Sequence, residues 1–341
     1  MIGVLLSELT ASTRRLALVG LAKNTGKTVA LAALLRELQA EGRPVGVTSV
    51  GRDGEERDVI DSRIAKPRIE LAGGSLLATT DVLLRASGLQ HDLLEDTGVR
   101  TPLGRVLIAR LRSPGAVEVA GPSAAADVRA VSDAMLAHGA EQVLIDGAIN
   151  RRAASSPDVA DGLVMSTGAV LDQDIEEVVR QTHEAVELVR LPLVEDSYEP
   201  LSLPPRFALA AEGEQIAKLL DAHEDAQRLN VAGALPDRFL RDLLQAVHRR
   251  RRELVLVVED PTKVFLAERG PGWYRAQGIQ IQTRRTIDLK AITINPVAPQ
   301  SHRFDSAQLR RLLAETISGV PILDVMGSDY VDANPPREPA A

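Results

Sequence analysis

A Gly-Lys-Thr triplet near the start of the chain is the group of residues best suited to chemistry. Residues 16–20 are apolar, and the triplet occupies positions 26–28. A strand followed by such a loop and a helix turns consecutive backbone N–H groups, here those of residues 24–28, towards a bound phosphate. Lys27 is predicted to reach the β- and γ-phosphates, and the Thr28 hydroxyl is predicted to hold Mg²⁺. The pattern therefore predicts a site for a nucleoside triphosphate, with ATP and Mg²⁺ as cofactors.

The spacing differs from the strict phosphate-loop pattern by one residue. The pattern places a glycine five positions before the second glycine, where this chain has Leu21, and Gly20 lies one position earlier. The predicted loop is therefore one residue longer than the standard loop. The alternative is a helix whose first turn contains Gly-Lys-Thr and binds no ligand. The residues predicted to contact the nucleotide are Lys23, Asn24, Thr25, Gly26, Lys27, Thr28 and Val29.

Two aspartates are candidate partners of the metal ion. Asp146 ends the apolar stretch 143–145 and precedes Gly147, which is expected to leave space for a ligand. A carboxylate at that place fits the shell of Mg²⁺. Asp53 lies in a Gly-Arg-Asp-Gly-Glu segment and is predicted to be a second metal carboxylate or a general base. The alternatives are an ordinary turn at Asp146 and an acidic, solvated loop at Asp53. The predicted catalytic residues are Lys27, Asp53 and Asp146, and the predicted metal ligands are Thr28, Asp53 and Asp146.

Alternating strands and helices must position these residues. Apolar, strand-like stretches occur at 44–50, 106–111, 142–147 and 162–168, and helical patterns follow position 28 and cover 124–138 and 174–189. This alternation predicts an α/β fold with a doubly wound, mostly parallel sheet. Ligands of such sheets bind at the carboxyl ends of the strands, where the glycines and aspartates of this chain occur.

The composition limits the classes of function. The chain has 341 residues, of which 45% are hydrophobic and 2% aromatic, with no cysteine and a net charge of −7. The low aromatic content argues against base-stacking surfaces, and the negative charge argues against nucleic acid and anionic membranes as partners. Without cysteine, disulfides, thiolate catalysis and iron–sulfur clusters are excluded. No apolar run approaches the roughly 20 residues of a membrane span, and no signal peptide is recognised, so a cytoplasmic location is expected.

The loop resembles those of a known superfamily. Gly20, Gly26, Lys27 and Thr28 have the extended spacing of dethiobiotin synthetase, and residues 23–28 are similar to the loop of molybdopterin-guanine dinucleotide biosynthesis adaptor proteins. Both families belong to the class of phosphate-loop NTPases that includes the MinD-type ATPases. The signature lysine of the MinD type is replaced here by Ala22. The stretch 289–296 resembles the strand whose final asparagine contacts adenine in dethiobiotin synthetase. This resemblance implies that Asn295 contacts the base, and a strand-ending Asn-Pro turn is the alternative.

A closer resemblance covers most of the chain. The segments that carry it are 20–28, 48–55, 66–69, 101–104, 120–123, 146–148 and 257–265. They are similar to the phosphate-loop proteins that are associated with reactivation of the adenosylcobalamin-dependent lysine 5,6-aminomutase. The resemblance implies an ATP-driven accessory factor whose protein partner is the aminomutase or a second reactivase subunit.

The interrupted pattern between the predicted core strands indicates an insertion. Residues 1–194 are predicted to form the first part of the NTPase core, 195–288 an inserted smaller α/β element, 289–330 the last core strands and 331–341 a disordered tail. Within the insertion, 264–267 is predicted to pair with 279–283. Three functions are compatible with these predictions: an ATP-hydrolysing accessory protein, an ATP-dependent ligase or kinase that acts on a small carboxylate or hydroxyl compound, and a nucleotide-binding regulator without turnover.

Overall fold

The computed structural model describes residues 5–51, 68–148, 152–195, 200–211, 213–223, 225–250, 253–299 and 302–327. Its strands, numbered in chain order, are β1 (Arg15–Gly20), β2 (Val45–Ser49), β3 (Ile69–Leu71), β4 (Leu76–Thr80), β5 (His91–Thr101), β6 (Gly104–Leu111), β7 (Gly115–Val117), β8 (Gln142–Ala148), β9 (Gly162–Gly168), β10 (Leu201–Ser202), β11 (Arg228–Asn230), β12 (Leu235–Pro236), β13 (Leu254–Val258), β14 (Val264–Phe265), β15 (Ile279–Thr283), β16 (Asp288–Asn295) and β17 (Ile322–Leu323). Its α-helices are α1 (Leu6–Thr10), α2 (Lys27–Ala40), α3 (Asp81–Ser87), α4 (Ala125–Ala137), α5 (Ile175–Val189), α6 (Phe207–Ala210), α7 (Gly213–Ala222), α8 (Asp237–Arg250), α9 (Pro271–Ala276) and α10 (Ser306–Thr316).

A nine-stranded sheet contains the strand that precedes the Gly-Lys-Thr triplet. Its strand order is β17-β16-β9-β1-β8-β2-β4-β6-β5. The pairs from β17 to β4 are parallel, whereas β4–β6 and β6–β5 are antiparallel. The prediction of an α/β fold with a large, mostly parallel sheet is thus confirmed. The antiparallel edge, which includes the predicted strand at 106–111, is a feature that the apolar pattern did not distinguish from parallel strands.

The chain order of this sheet reverses beside β1. From β1 the chain continues through α2 to β2 on one side, and from β9 it continues to β16 on the other side. Because these connections leave two adjacent strands in opposite directions, a crevice is expected outside the carboxyl ends of β1 and β9. The Leu21 N–H, at the end of β1, donates to the carbonyl oxygen of Ser166 in β9 (2.9 Å).

Helix α2 is held by an apolar face and ended by a glycine. Leu31, Leu34 and Leu38 recur at helical spacing and are buried in the core of the sheet, each contributing about 1.5–3 kcal/mol of transfer free energy. Gly42 follows the helix with φ +69°, and the next N–H, that of Arg43, donates to the carbonyl oxygen of Leu38 (3.0 Å). Gly42, left-handed and directly after the C-cap residue Glu41, thus ends the helix before β2.

Two compact units are distinguished along the chain. The first comprises Met1–Val179 and Asp288–Ala341, and the second comprises Arg180–Ile287. The boundary therefore falls inside α5, whereas the sequence analysis placed an inserted element at 195–288. Those predicted bounds stay a prediction, and the predicted tail at 331–341 lies outside the described residues.

The second unit is built around its own parallel sheet. Four strands pair in the order β10-β11-β13-β15, and β12 pairs in parallel with β14. The predicted pairing of 264–267 with 279–283 is therefore wrong, because β15 pairs with β13 instead. The apolar face of α8 fills this core with Phe239, Leu240 and Leu243, each at most 1% exposed. Since short β-rich segments carry no information on their partners, only tertiary packing decides which of them pair.

A buried tyrosine gives the second unit a testable pH dependence. The Tyr274 hydroxyl donates to Asp237 (2.6 Å), and burial, followed by this hydrogen bond, raises the pKa of Tyr274 above its usual value of 10.0. The folded state keeps the phenolic proton at a pH where the unfolded state has lost it. The free energy of unfolding should therefore fall as the pH rises above about 10.

Tyr274→Phe tests this coupling. The variant should be less stable by about 1–2 kcal/mol at pH 8, because one buried hydrogen bond is lost. The difference from wild type should shrink above pH 10, since only wild type carries the raised pKa. Trp273, the single tryptophan of the chain, lies next to Tyr274 (ring centroids 5.1 Å apart), so its fluorescence can follow denaturant unfolding. A difference that stays constant from pH 8 to 11 would contradict the coupling.

No described helix has both the length and the apolar character that a membrane crossing requires.

Candidate functional site

The loop between β1 and α2 is shaped by two left-handed residues. Asn24 has φ +67° and Gly26 has φ +85°. A positive φ is unfavourable for most residues, but glycine adopts it readily and asparagine tolerates it better than other side chains. Gly26 is also the N-cap of α2, and no side chain caps that helix end. The helix N-terminus therefore lacks a side-chain cap among the described residues.

Gly20 explains how the longer loop fits against the strand. The loop folds back so closely that a Cβ atom at Gly20 would lie 2.4 Å from the hydroxyl oxygen of Thr25. Thr25 is buried, and its hydroxyl donates to the carbonyl oxygen of Ala22 (3.0 Å). Any larger residue at position 20 would push Thr25 out of this turn.

Several backbone N–H groups of the loop and of the first helical turn have no acceptor among the described residues. For residues 24–29, no acceptor of the backbone N–H lies among the described residues. The first N–H groups of any helix lack intrahelical acceptors, but here the series extends back into the loop as far as Asn24. Consecutive N–H groups at a helix N-terminus, together with the helix dipole, favour an anion.

Lys27 and Asp146 form an ion pair at the end of the sheet. The Lys27 ammonium group donates to the Asp146 carboxylate, although 119 positions separate them in the sequence. Strand β8 lies beside β1, with Asp146 in register with Leu18, so the carboxylate comes to the start of α2. Both side chains remain partly accessible, with exposed fractions of 21% and 24%. The structure thus brings together the two charged groups that the sequence analysis assigned to phosphate and to the metal ion.

The space beside Gly147 is taken by protein. A Cβ atom at Gly147 would lie 2.3 Å from the Cβ of Ala154. The expectation that this glycine leaves space for a ligand is therefore wrong, and its physical role is close packing of the short 3₁₀-helix Arg152–Ser155 against β8. The carbonyl oxygen of Asp146 accepts the N–H of Val50 (2.9 Å), which ties β8 to the end of β2.

The other predicted residues are placed as follows. Lys23, Asn24 and Val29 are exposed, and Thr28 is half-buried near the helix start. Asn295 lies at the end of β16, and its amide donates to the carbonyl oxygen of Asn24 (2.9 Å). Asp53 lies outside the described residues, so its predicted roles as metal ligand and base stay predictions.

One cavity adjoins the first turn of α2, and another adjoins the loop. The larger, about 1120 Å³, starts at Thr28 and Val29 and runs along α2, with Arg36, Arg43 and Arg110 among its lining residues. The smaller, about 290 Å³, lies between Asn24 and His302. Both are lined by described residues of the first unit.

His302 was not among the residues predicted from the sequence. Its Nε2 lies 2.8 Å from the carbonyl oxygen of Ala169 and 3.0 Å from that of Asp172, so Nε2 carries the proton in this arrangement. His302 therefore bridges two loops at the carboxyl ends of β9 and β16. A single histidine in a loop has no sequence pattern that predicts such a bridge.

The described residues contain no cluster of three or more histidine, cysteine or acidic side chains that could hold a metal ion. Mg²⁺ typically keeps several waters and binds one or two carboxylates together with substrate phosphates. The Thr28 hydroxyl and the Asp146 carboxylate are hard oxygen donors of this kind. These two donors fit an Mg²⁺ ion that arrives with a triphosphate.

A comparison of the chain with protein-family models, with curated proteins and with solved structures finds no match.

Proposed function

We propose that the protein is an Mg²⁺-dependent ATPase of the phosphate-loop class, with a doubly wound core, that acts as an accessory factor on a protein partner. The proposal of a nucleotide site rests on the Lys27–Asp146 ion pair. This pair lies beside the N–H groups of residues 24–29, which have no acceptor among the described residues. The accessory role rests on the sequence resemblance to aminomutase reactivation proteins. The partner is then the aminomutase or a second reactivase subunit.

The loop supplies the binding of the phosphates. Its N–H groups and the dipole of α2 present positive potential at one point. Lys27 adds a full charge, and it can exchange its bond to Asp146 for bonds to phosphate oxygens. An ammonium group that already lies at the helix start loses little conformational freedom when a triphosphate binds.

Asp146 and Thr28 supply the residues that would hold Mg²⁺. When bound, the ion neutralises charge that develops on the phosphate oxygens during hydrolysis. With Lys27 bound to the phosphates, the Asp146 carboxylate would be available to hold the ion directly or through a water molecule. Asp53 is proposed to complete the shell or to orient the attacking water.

Binding and hydrolysis by wild-type protein test the proposal. Titration calorimetry with ATP should show saturable binding that strengthens with Mg²⁺, and phosphate release should depend on Mg²⁺ and increase when the partner is added. Binding without turnover, with or without a partner, would favour the regulator instead. Absence of binding to ATP and GTP at millimolar concentration would overturn the nucleotide site.

A second candidate function is supported by the larger cavity. It begins at Thr28, in the first turn of α2, and its walls combine apolar side chains with Glu70, Arg36, Arg43 and Arg110. Arg43 also pairs with Glu41 and Glu141, and Arg110 donates to the carbonyl oxygen of His138. Such a lining suits a small compound with an apolar body and a carboxylate, as an ATP-dependent ligase or kinase would bind. Hydrolysis that requires a small acid, and that a protein partner does not stimulate, would favour this function.

Thr28→Ala separates the metal contact from the phosphate contacts. The variant should bind ATP on the order of 10-fold more weakly in Mg²⁺, the scale seen for partners of metal ligands, and about as well as wild type in EDTA. Calorimetry under both conditions measures this. Thr316→Ala is the matched control, because that hydroxyl donates only to its own helix at Leu312. An equal loss with and without Mg²⁺ would contradict the assignment of Thr28.

A further inference from the structure

The side chain of Asn295 is bonded to the backbone on both sides. Its Nδ2 donates to the carbonyl oxygen of Asn24 (2.9 Å), and its Oδ1 accepts the N–H of Val297 (3.2 Å). The first bond joins residues 271 positions apart. Each end of the amide therefore makes one hydrogen bond to the protein backbone, and together these two bonds fix the orientation of the side chain towards the loop.

Asn295 contacts the part of the loop that has left-handed backbone conformations. Asn24, whose carbonyl oxygen accepts the bond, has a left-handed φ of +67°. Gly26 has φ +85°, and a Cβ atom there would lie 3.1 Å from the Cβ of Asn295. Asn295 thus lies against both left-handed residues of the loop. Residues held in such conformations persist when their surroundings impose them.

The backbone of Asn295 is itself fixed by the neighbouring strand. Asn295 is in register with Gly168 of β9, and its carbonyl oxygen accepts the N–H of Ala169 (2.9 Å). The approach is so close that a Cβ atom at Gly168 would lie 2.1 Å from that oxygen. The side chain therefore projects from a strand end that is hydrogen-bonded to and closely packed against β9, which suits it to hold a loop in place.

We propose that Asn295 is a positioning residue that holds the β1–α2 loop in its anion-accepting shape and does not read the base. The inference rests on the proposed function, because it concerns the same phosphate site. The bond from Nδ2 fixes the direction of the Asn24 carbonyl oxygen. The N–H groups of residues 24–29, which have no acceptor among the described residues, then stay available to an anion. Loss of the amide should therefore weaken every ligand that carries the triphosphate, whatever its base.

Asn295→Ala tests the inference with three probes: ATP, GTP and inorganic tripolyphosphate, each with Mg²⁺. We expect all three dissociation constants to rise by a similar factor of about 3 to 10, as for loss of one hydrogen bond. The ratio of the ATP and GTP constants should stay as in wild type. A change in that ratio with unchanged tripolyphosphate binding would show that Asn295 reads the base, and would overturn the inference.

Thr293→Val is the matched control on the same strand. The Thr293 hydroxyl is buried and bonds to that of Ser166 (2.8 Å), so its loss perturbs β16 without touching the loop. We expect a lower melting temperature and unchanged dissociation constants. If Asn295→Ala behaves in the same way, its role is structural only and the inference is overturned. If wild type binds none of the three probes, the proposed function fails and the inference fails with it.

Discussion

Lys27→Ala should lower the affinity for ATP by about 100-fold or more while the protein stays folded. Charge-assisted hydrogen bonds are worth about 1.5–3 kcal/mol each, and without Lys27 the Asp146 carboxylate faces the phosphates with no opposing charge. The structural cost should be small. Partly exposed ion pairs contribute about 0–1 kcal/mol, and both groups of this pair are accessible to water.

Calorimetry with ATP and Mg²⁺, together with a melting curve, measures both parts of this prediction. Lys290→Ala is the matched control, because Lys290 also pairs with an aspartate, Asp288 (2.6 Å), in the same unit. The control should bind ATP like wild type. A folded Lys27→Ala protein with wild-type affinity would contradict the phosphate site.

Asp146→Asn should keep ATP binding and lose most of the hydrolysis. The amide has nearly the shape of the carboxylate but carries no charge for the metal shell, and phosphoryl transfer depends on neutralisation of developing charge. The loss in rate should be about 100- to 1,000-fold, the scale for removal of one preorganised electrostatic contact. Lys27, freed from its partner, remains available to the phosphates.

Single-turnover phosphate release, corrected for the fraction of nucleotide bound, measures the effect. Asp288→Asn removes the carboxylate of the control pair and should leave the rate unchanged. If Asp146 had only a structural role, Asp146→Asn would lower the melting temperature while the folded fraction kept its specific activity. Full activity in Asp146→Asn would place the metal site elsewhere.

The local elements around the site could be predicted from the sequence. Residues 16–20 form a strand and a helix begins at Lys27, because an apolar run, a glycine loop and apolar side chains at helical spacing act over short distances. The α/β class follows for the same reason, since alternating strands and helices bury their apolar faces in few ways. The apolar strand before Asp146 could also be predicted, but the expectation that Asp146 ends it is wrong, because β8 continues through Gly147 to Ala148.

The contacts that assemble the site could not be predicted in this way. Asp146 reaches Lys27 because β8 lies beside β1, and an apolar strand could have taken any place in the sheet. Asn295 reaches Asn24 only because β16 pairs with β9, and a resemblance alone assigned that amide to the base. Gly147 was expected to leave space for a ligand, but Ala154 fills that space. The sequence does not show that Ala154, on a later element, packs against Gly147.

By itself, the sequence determined the strand, the loop and the helix, since these depend on the spacing of neighbouring residues. Only the tertiary structure decided strand order, the antiparallel edge of β5 and β6, and the partners of the short strands in the second unit. Strand order and strand pairing depend on side-chain packing between distant segments. Hydrophobic periodicity does not indicate which segments pack together. The ion pair between Lys27 and Asp146 is a consequence of that packing.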